Sequence, residues 1–146
     1  LVAPYKDLTG LMFRVANKKQ NELIETECQV ILAINNPETQ RRDFHFLELE
    51  RSKINLLPLT WTVVHPIDDK SPMFGLTATD VKERDGEFII LIKSITDTYF
   101  QTVYSRMSYK HSELTWNAKF VPMKQMPHKD GSISINLQDI HSYDKL

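Results

Sequence analysis

The 146-residue sequence predicts an all-β protein with one short helix. Apolar and polar residues alternate with a period of two along most of the chain, as they do in half-buried strands. The alternating segments are rich in β-branched and aromatic residues, and turn-forming Asn, Asp, Pro and Gly stand between them. A chain of this length buries about two-thirds of its unfolded surface, so we treat residues 1–146 as a single domain with its own core.

Composition narrows the function classes further. The 18 basic and 19 acidic residues give a net charge of −1, which argues against a dedicated nucleic-acid-binding protein. The single cysteine, Cys28, excludes an internal disulfide and fits a reducing compartment. The longest apolar run, Phe88–Ile92, is far shorter than the roughly 20 residues of a membrane helix. Because the chain begins with Leu1 rather than Met, we expect a fragment or a processed form.

The first two predicted strands are Leu11–Ala16 and Leu23–Ile34, joined by a polar loop at residues 17–22. In the second strand the even positions are mostly apolar, whereas the odd positions include Glu25 and Glu27. This pattern predicts one buried face and one acidic face in contact with water.

Further along the chain the same pattern predicts five more strands. They are Phe44–Leu49, Leu59–His65, Glu87–Ile95, Tyr99–Tyr109 and Ser132–Leu137. Pro66 is expected to end the second of these, and a turn at residues 129–131 precedes the last.

One segment, Leu76–Glu83, departs from the period of two and predicts the helix. Thr77 is a suitable N-cap, Asp80 favours the first turn, and residues 84–86 end the helix. About seven short strands and one helical turn predict an immunoglobulin-like β-sandwich, here without the Cys–Trp–Cys pattern of antibody domains.

Patterns typical of catalysis or metal binding are not found in the sequence. The histidines do not stand at zinc-ligand spacing, the four glycines are isolated, and no serine lies in a nucleophile elbow. Cys28 falls on the apolar face of its strand, as an inert buried thiol would. His65 either pairs with Asp68 or Asp69, or precedes a turn that an aspartate stabilises. We predict no enzyme, no cofactor and no metal site.

Three blocks of sequence carry a family resemblance. They are Leu11–Asn17 followed by Leu23–Glu25, then Leu59–Asp68 with Ser71–Gly75, and Thr96–Val103. In this order and spacing they resemble the C-terminal cytoplasmic domain of inward-rectifier potassium channels, and most closely its bacterial branch.

The resemblance implies a domain on the cytoplasmic side of the cell's inner membrane, within a multi-pass protein whose transmembrane pore domain is absent from this chain. It implies a homotetramer that conducts potassium ions, with magnesium or polyamines as further cations in the vestibule and anionic lipid headgroups as partners. It also implies a place among voltage-gated channels. The alternative is a stand-alone immunoglobulin-like module for protein–protein interaction; an enzyme on a β-sandwich is the third and weakest alternative.

For the pore, the resemblance implies that Glu25, Glu27 and Asp97 line the ion pathway. Four copies of an exposed carboxylate around an axis would raise the local cation concentration. In a monomer the same carboxylates are simply a solvated face. Lys93 falls near a position where many animal members carry an acidic residue, so strong polyamine block is not expected.

For gating, the resemblance implies a narrow collar, the G-loop. Its residues are Ile95, Thr96, Asp97, Thr98, Tyr99, Phe100 and Gln101. The plain alternative is a hairpin turn between two strands, and both interpretations are compatible with one another.

For lipid regulation, the resemblance implies Lys18, Lys19 and Arg14. Lysines near an anionic leaflet each contribute about 1 kcal/mol. The alternatives are a solvated turn at Lys18 and Lys19, and a salt bridge within the strand at Arg14.

Overall fold

The computed structural model describes residues 1–19 and 21–146; Gln20, part of the predicted polar loop, lies outside the described residues. Within them the chain forms strands, one α-helix and two 3-10 helices. The strands are β1 (Val2–Tyr5), β2 (Leu8–Ala16), β3 (Leu23–Asn35), β4 (Arg42–Leu47), β5 (Lys53–Leu56), β6 (Thr60–Ile67), β7 (Glu87–Thr96), β8 (Thr102–Lys110), β9 (Ala118–Phe120), β10 (Gln125–Pro127), β11 (Ile133–Ile135) and β12 (Tyr143–Lys145). The helix is α1 (Ala78–Glu83), and the 3-10 helices are His111–Glu113 and Leu137–His141.

Two antiparallel sheets form the body of the molecule. The larger has the order β4-β3-β7-β8, with β5 also pairing with β3, and the smaller has the order β1-β2-β6. Two further ladders, β10-β11 and β9-β12, lie in the C-terminal part of the chain. The predicted all-β sandwich with one short helix is therefore confirmed.

The core lies between the two sheets. β3 contributes alternate residues, among them Val30 and Leu32, and β7 contributes Ile90 from the neighbouring strand. Trp61 and Val63 of β6 face them from the smaller sheet. Burial of such side chains contributes about 25 cal/mol per Å² of apolar surface, so this period-two pattern is the main source of stability.

The strand that contains Pro66 continues past it. Pro66 is paired with Gly10, and β6 ends at Ile67 rather than at His65. The prediction that Pro66 ends the strand is wrong because β6 is an edge strand, in which the missing N–H of a proline costs no ladder bond.

Other predicted bounds also shift. β8 begins at Thr102 rather than Tyr99, because the residues before it form the hairpin turn. The strand predicted at 132–137 is present as β11 but is not the last, since β12 follows. The short strands β1, β5, β9, β10 and β12 were not predicted, because segments of three or four residues are too short to show a period.

The helix forms in the predicted segment, but it begins at Ala78 rather than at Leu76. Thr77 is the N-cap, its side chain accepts from the backbone N–H of Asp80, and the Asp80 carboxylate accepts from the backbone N–H of Thr77 in return. Gly86 follows the helix, and a Cβ there would lie 2.5 Å from Cγ1 of the buried Val81. No helix in the described residues is both long and apolar enough to cross a membrane.

Candidate functional site

The two predicted carboxylates of β3 share one lysine. Lys53 on β5 places its Nζ 2.7 Å from Glu25 Oε2 and 3.8 Å from Glu27 Oε1. The hydrogen bond to Glu25 raises the pKa of Lys53. Both carboxylates are partly exposed, as expected for a solvent-facing surface.

A β-bulge lies at the first of these two carboxylates. The register of β3 against β7 shifts between Ile24 and Glu27, and Glu25 has a φ of 48°, in the left-handed region. A non-glycine residue there is strained, and such strain often marks functional positions.

A second lysine lies beside Glu27. Lys93 of β7 is opposite Glu27 in the register and is exposed, and Tyr104 of β8 is opposite Lys93. The predicted acidic face is therefore mixed, because the charges of Glu25 and Glu27 are formally balanced by Lys53 and Lys93. Sequence reasoning found Lys93 but missed Lys53, since its pairing with β3 is long-range and no local pattern indicates it.

The predicted collar is a strand end followed by a turn. Ile95 and Thr96 belong to β7, and the remaining five residues connect β7 to β8. The Thr96 N–H donates to the Gln101 carbonyl at 2.8 Å, which closes the turn. Tyr99 and Phe100 at its tip are 78% and 75% exposed. The hairpin is thus confirmed, and its exposed aromatic tip is a surface that could contact another molecule.

The collar lies beside the start of β3. The Asp97 N–H donates to the Glu22 carbonyl at 3.2 Å, and Ile24 is opposite Ile95 in the register. Since Glu22 ends the loop that carries Lys18 and Lys19, three predicted sites meet at one end of the larger sheet. They are the acidic start of β3, the collar and the basic loop.

The basic loop itself is shaped by Asn17. Its Oδ1 accepts from the Lys19 N–H at 3.0 Å, and its Nδ2 donates to the Asn21 carbonyl at 2.7 Å. Lys18 and Lys19 are both exposed. Asn17 thereby fixes the loop's backbone while leaving the two ammonium groups in water.

Arg14 is placed differently from the two lysines. Its guanidinium lies 4.3 Å from the centre of the Phe120 ring, and its Nη2 donates to the Val121 carbonyl. Burial lowers the pKa of Arg14. Within the described part of the chain no carboxylate forms a salt bridge with it. Arg14 therefore contacts the C-terminal segment, and the predicted salt bridge within its strand is not found there.

His65 does not pair with an aspartate. Its Nδ1 lies 2.6 Å from the Glu48 carbonyl and its Nε2 lies 2.7 Å from Ser71 Oγ, and the residue is 2% exposed. Asp68 instead accepts from the Lys70 N–H at 3.0 Å, so the interpretation as an aspartate-stabilised turn is confirmed. Burial lowers the pKa of His65.

Cys28 is buried, and burial raises the pKa of its thiol to about 12. Such a thiol is neither a ready nucleophile nor a metal ligand at neutral pH. Among the described residues no group of His, Cys, Asp and Glu is arranged to hold a metal ion.

An apolar surface on the outer face of the larger sheet was missed by sequence reasoning. Phe44 and Phe46 of β4 are 61% and 70% exposed. Ile31 is opposite both Phe46 and Ile89. The side chains of Phe44, Phe46, Ile31 and Ile89 lie on the same sheet face as those of Glu27 and Lys93. Two neighbouring phenylalanines that are exposed to solvent indicate an interaction surface.

The comparison with protein families gives one match that covers almost the whole chain. The model of the inward rectifier potassium channel C-terminal domain matches residues 2–146.

Individual relatives agree with the family match. The chain is 30% identical over 145 residues to the inward rectifier potassium channel Kirbac3.1 of Paramagnetospirillum magnetotacticum, covering 97% of this chain and 48% of that protein. It is 28% identical to the human ATP-sensitive inward rectifier potassium channel 8, over 86% of this chain and 31% of that protein. It is 24% identical to the human G protein-activated inward rectifier potassium channel 1, over 90% of this chain and 27% of that protein.

The chain thus spans less than half the length of these relatives. The names describe inward rectifiers, so the suggested classification as voltage-gated is inaccurate.

Proposed function

Because the chain belongs to the family of inward rectifier potassium channel C-terminal domains, we propose that it is the cytoplasmic domain of a potassium channel. In this proposal four copies surround an axis on the cytoplasmic side of the membrane and form the inner vestibule of the ion pathway. The domain couples contacts with lipid and other ligands to opening of the pore, which lies in a separate part of the polypeptide.

The observation that carries the proposal is the meeting of three segments at one end of the larger sheet. The Asp97–Glu22 hydrogen bond connects the collar to the loop that carries Lys18 and Lys19. If this end faces the membrane, the lysines lie toward the lipid headgroups and the collar surrounds the axis. Glu25 then lies just below the collar, where it meets ions that leave or enter the pore.

The charges of the vestibule favour weak cation block. Glu25 and Glu27 would line the pathway, but Lys53 and Lys93 lie beside them. Paired charges project a smaller field than isolated carboxylates, so magnesium or polyamines gain little by entering. We therefore propose a vestibule that passes potassium with shallow rectification.

The apolar surface formed by Phe44, Phe46, Ile31 and Ile89 supports assembly. It lies on the same sheet face as Glu27, next to the proposed ion pathway. In a fourfold assembly a surface beside the axis contacts the neighbouring copy, which removes the two phenylalanines from water. The same surface would serve the alternative function, a stand-alone interaction module.

Lys18 and Lys19 are proposed to contact anionic lipid. Four copies bring eight ammonium groups toward one leaflet, and each contributes about 1 kcal/mol near an anionic surface. The exposure of both side chains supports this role. Arg14 is not included, because its guanidinium is held against Phe120 and Val121.

Potassium flux tests the proposal. The complete polypeptide that contains this chain is reconstituted into liposomes, and uptake of rubidium against a potassium gradient is measured. We expect flux that barium blocks and that sodium does not support. A complete polypeptide with no membrane helices, or with helices but no selective flux, would favour the interaction module instead.

A further inference from the structure

The larger sheet ends on a long strand with one unpaired edge. β8 pairs with β7 over nine residues without a bulge, from Thr102 to Lys110. β8 contains no proline, and no strand of the described residues pairs with its other side. Proteins usually shorten, bulge or cover such an edge, because its free N–H and C=O groups can pair with another chain. The edge of β8 is therefore a candidate surface for contact with another chain.

The side chains at this edge are aromatic and basic. Tyr104 is exposed, and so is Lys93, which lies opposite Tyr104 on β7. Arg106 is exposed as well. Neither Lys93 nor Arg106 forms a salt bridge within the described part of the chain. The β8 edge thus presents two cations without a partner beside an aromatic ring.

The opposite edge of the same sheet is apolar and acidic. β4 carries the exposed side chains of Phe44 and Phe46. A groove beyond the end of β4 is lined by Phe46 and by three carboxylates and one lysine, which are Glu48, Glu50, Asp68 and Lys70. Glu50 is paired with Lys6, whereas Glu48 is exposed and forms no salt bridge with any described residue. Glu48 is therefore available to a cation from outside the chain.

The strand register places Arg106 and Glu48 at about the same height on the two edges. Arg106 lies level with Gln29 of β3, because both are opposite Leu91 of β7. β4 pairs with β3 up to Leu47, which is opposite the residue after Gln29, and Glu48 continues from there. The β8 edge of one copy can therefore meet the β4 edge of another without a shift along the strands.

A contact between two β8 strands fits less well. Antiparallel pairing about the centre of β8 would place the two Arg106 guanidinium groups opposite one another, and like charges in that position are destabilising. Such a contact is also isologous and closes after two copies. A ring of four needs two different surfaces on each copy, and the two edges of the larger sheet provide them.

We propose that copies of this domain meet edge to edge, with β8 of one copy against the end of β4 in the next. Arg106 forms an ion pair with Glu48 of the next copy. Residues 107–110 cover Phe44 and Phe46, with which they are level in the register. This inference rests on the proposed fourfold arrangement and names the two surfaces that form it.

A pair of introduced cysteines tests the contact directly. The Glu48→Cys/Arg106→Cys variant of the 146-residue chain is mildly oxidised, and the products are separated on a non-reducing gel. Within one copy these positions are three strand spacings apart, about 14 Å, whereas a disulfide needs Cα atoms within about 7 Å. We expect crosslinked dimers, trimers and tetramers from the double variant and only monomer from either single variant. Cys28 is buried and is common to all three chains.

Charge reversal measures the ion pair. Arg106→Glu and Glu48→Arg should each raise the concentration at which the chain assembles about tenfold, because each sets like charges against one another. The two changes together should restore assembly to the native level. Lys82→Glu, at an exposed position of α1, makes the same change in charge as Arg106→Glu and should assemble like the native chain. Sedimentation velocity over a range of concentrations measures all four variants.

Three results would overturn the inference. They are no crosslinked species from the double-cysteine variant, equal crosslinking in Arg106→Cys alone, and no recovery of assembly when the two charge reversals are combined. Selective potassium flux through the complete polypeptide is an independent measurement. Flux without the crosslink would refute this contact and leave the proposed channel standing.

Discussion

Lys53 Nζ lies 2.7 Å from Glu25 Oε2 and so connects β5 to the bulged position of β3. The pair is partly exposed, with 49% and 43% of the two side chains accessible, and its own contribution to folding is therefore small. The pair matters for the electrostatic field at this surface, because the Lys53 ammonium offsets the charge of one carboxylate that would otherwise attract cations.

In the proposed channel, removal of Lys53 should increase cation block. Lys53→Gln leaves Glu25 and Glu27 without their shared ammonium, so magnesium on the cytoplasmic side should block several-fold more tightly. Current–voltage curves at several magnesium concentrations measure the change. Lys53→Arg keeps the charge and should behave as the native channel; equal block by magnesium in native and Lys53→Gln channels would show that the pair does not face the ions.

The N-cap of α1 should contribute measurably to stability. Thr77→Ala removes the side-chain oxygen that accepts from the Asp80 N–H, and loss of such a cap costs about 1 kcal/mol. Urea unfolding of the 146-residue chain measures the difference. Thr79→Ala, within the helix and exposed, removes a similar hydroxyl without a cap and should cost less than half as much. Equal losses in the two variants would contradict the capping role.

His65 should make stability depend on pH in the mildly acidic range. Its pKa is lowered in the folded state from the usual 6.5 by burial, so the unfolded chain binds a proton more readily. The contribution of His65 to the free energy of unfolding is therefore fully present above pH 6.5. It is lost as the pH falls from there through the lower pKa of the folded state. Urea unfolding at several pH values between 8 and 5 measures the slope.

The comparison with His65→Gln isolates this residue. The N-terminal amine of Leu1, whose pKa burial lowers to about 6, contributes a slope of the same sign between pH 8 and 6, and it is present in both chains. The variant is expected to be less stable at pH 8 but to lose less on acidification. Parallel curves for the two chains would mean that another group causes the dependence.

The exposed phenylalanines should control self-association. Phe46→Ser removes the larger part of an apolar contact from β4, so the protein concentration at which the 146-residue chain assembles should rise about tenfold. Sedimentation velocity over a range of concentrations measures this. Leu8→Ser changes an exposed apolar residue of the smaller sheet and should leave assembly unchanged. If Phe46→Ser assembles like the native chain, copies of this domain meet through another face.

Local sequence patterns predicted the elements whose signals lie within a few residues. β3 was recovered because residues 26–32 of the strand carry the period-two pattern, and α1 was recovered because its cap and its end both lie in the local sequence. β5 and β12 were missed because strands of three or four residues are defined by their partners and not by a period.

The site was predicted in part for the same reason. Glu25 and the collar stand in recognisable blocks of sequence, whereas Lys53 reaches Glu25 only through the pairing of β5 with β3. Arg14 meets Val121 across 107 residues of chain, a contact that no spacing rule indicates. The outward orientation of Phe44 and Phe46 could not be read from β4 either, because apolar residues at alternate positions ordinarily predict a buried face.

The central claim, that the surface around Glu25 lines a potassium pathway, is tested most directly by charge placed at that residue. The Glu25→Cys variant of the proposed channel is treated from the cytoplasmic side with a thiol reagent. Some membrane patches receive a cationic reagent and others receive an anionic one. Buried Cys28 should not react, since burial raises its pKa to about 12. The account predicts that the cationic reagent lowers the single-channel potassium conductance and the anionic reagent raises it. Complete labelling of the introduced cysteine with no change in conductance from either reagent would contradict it.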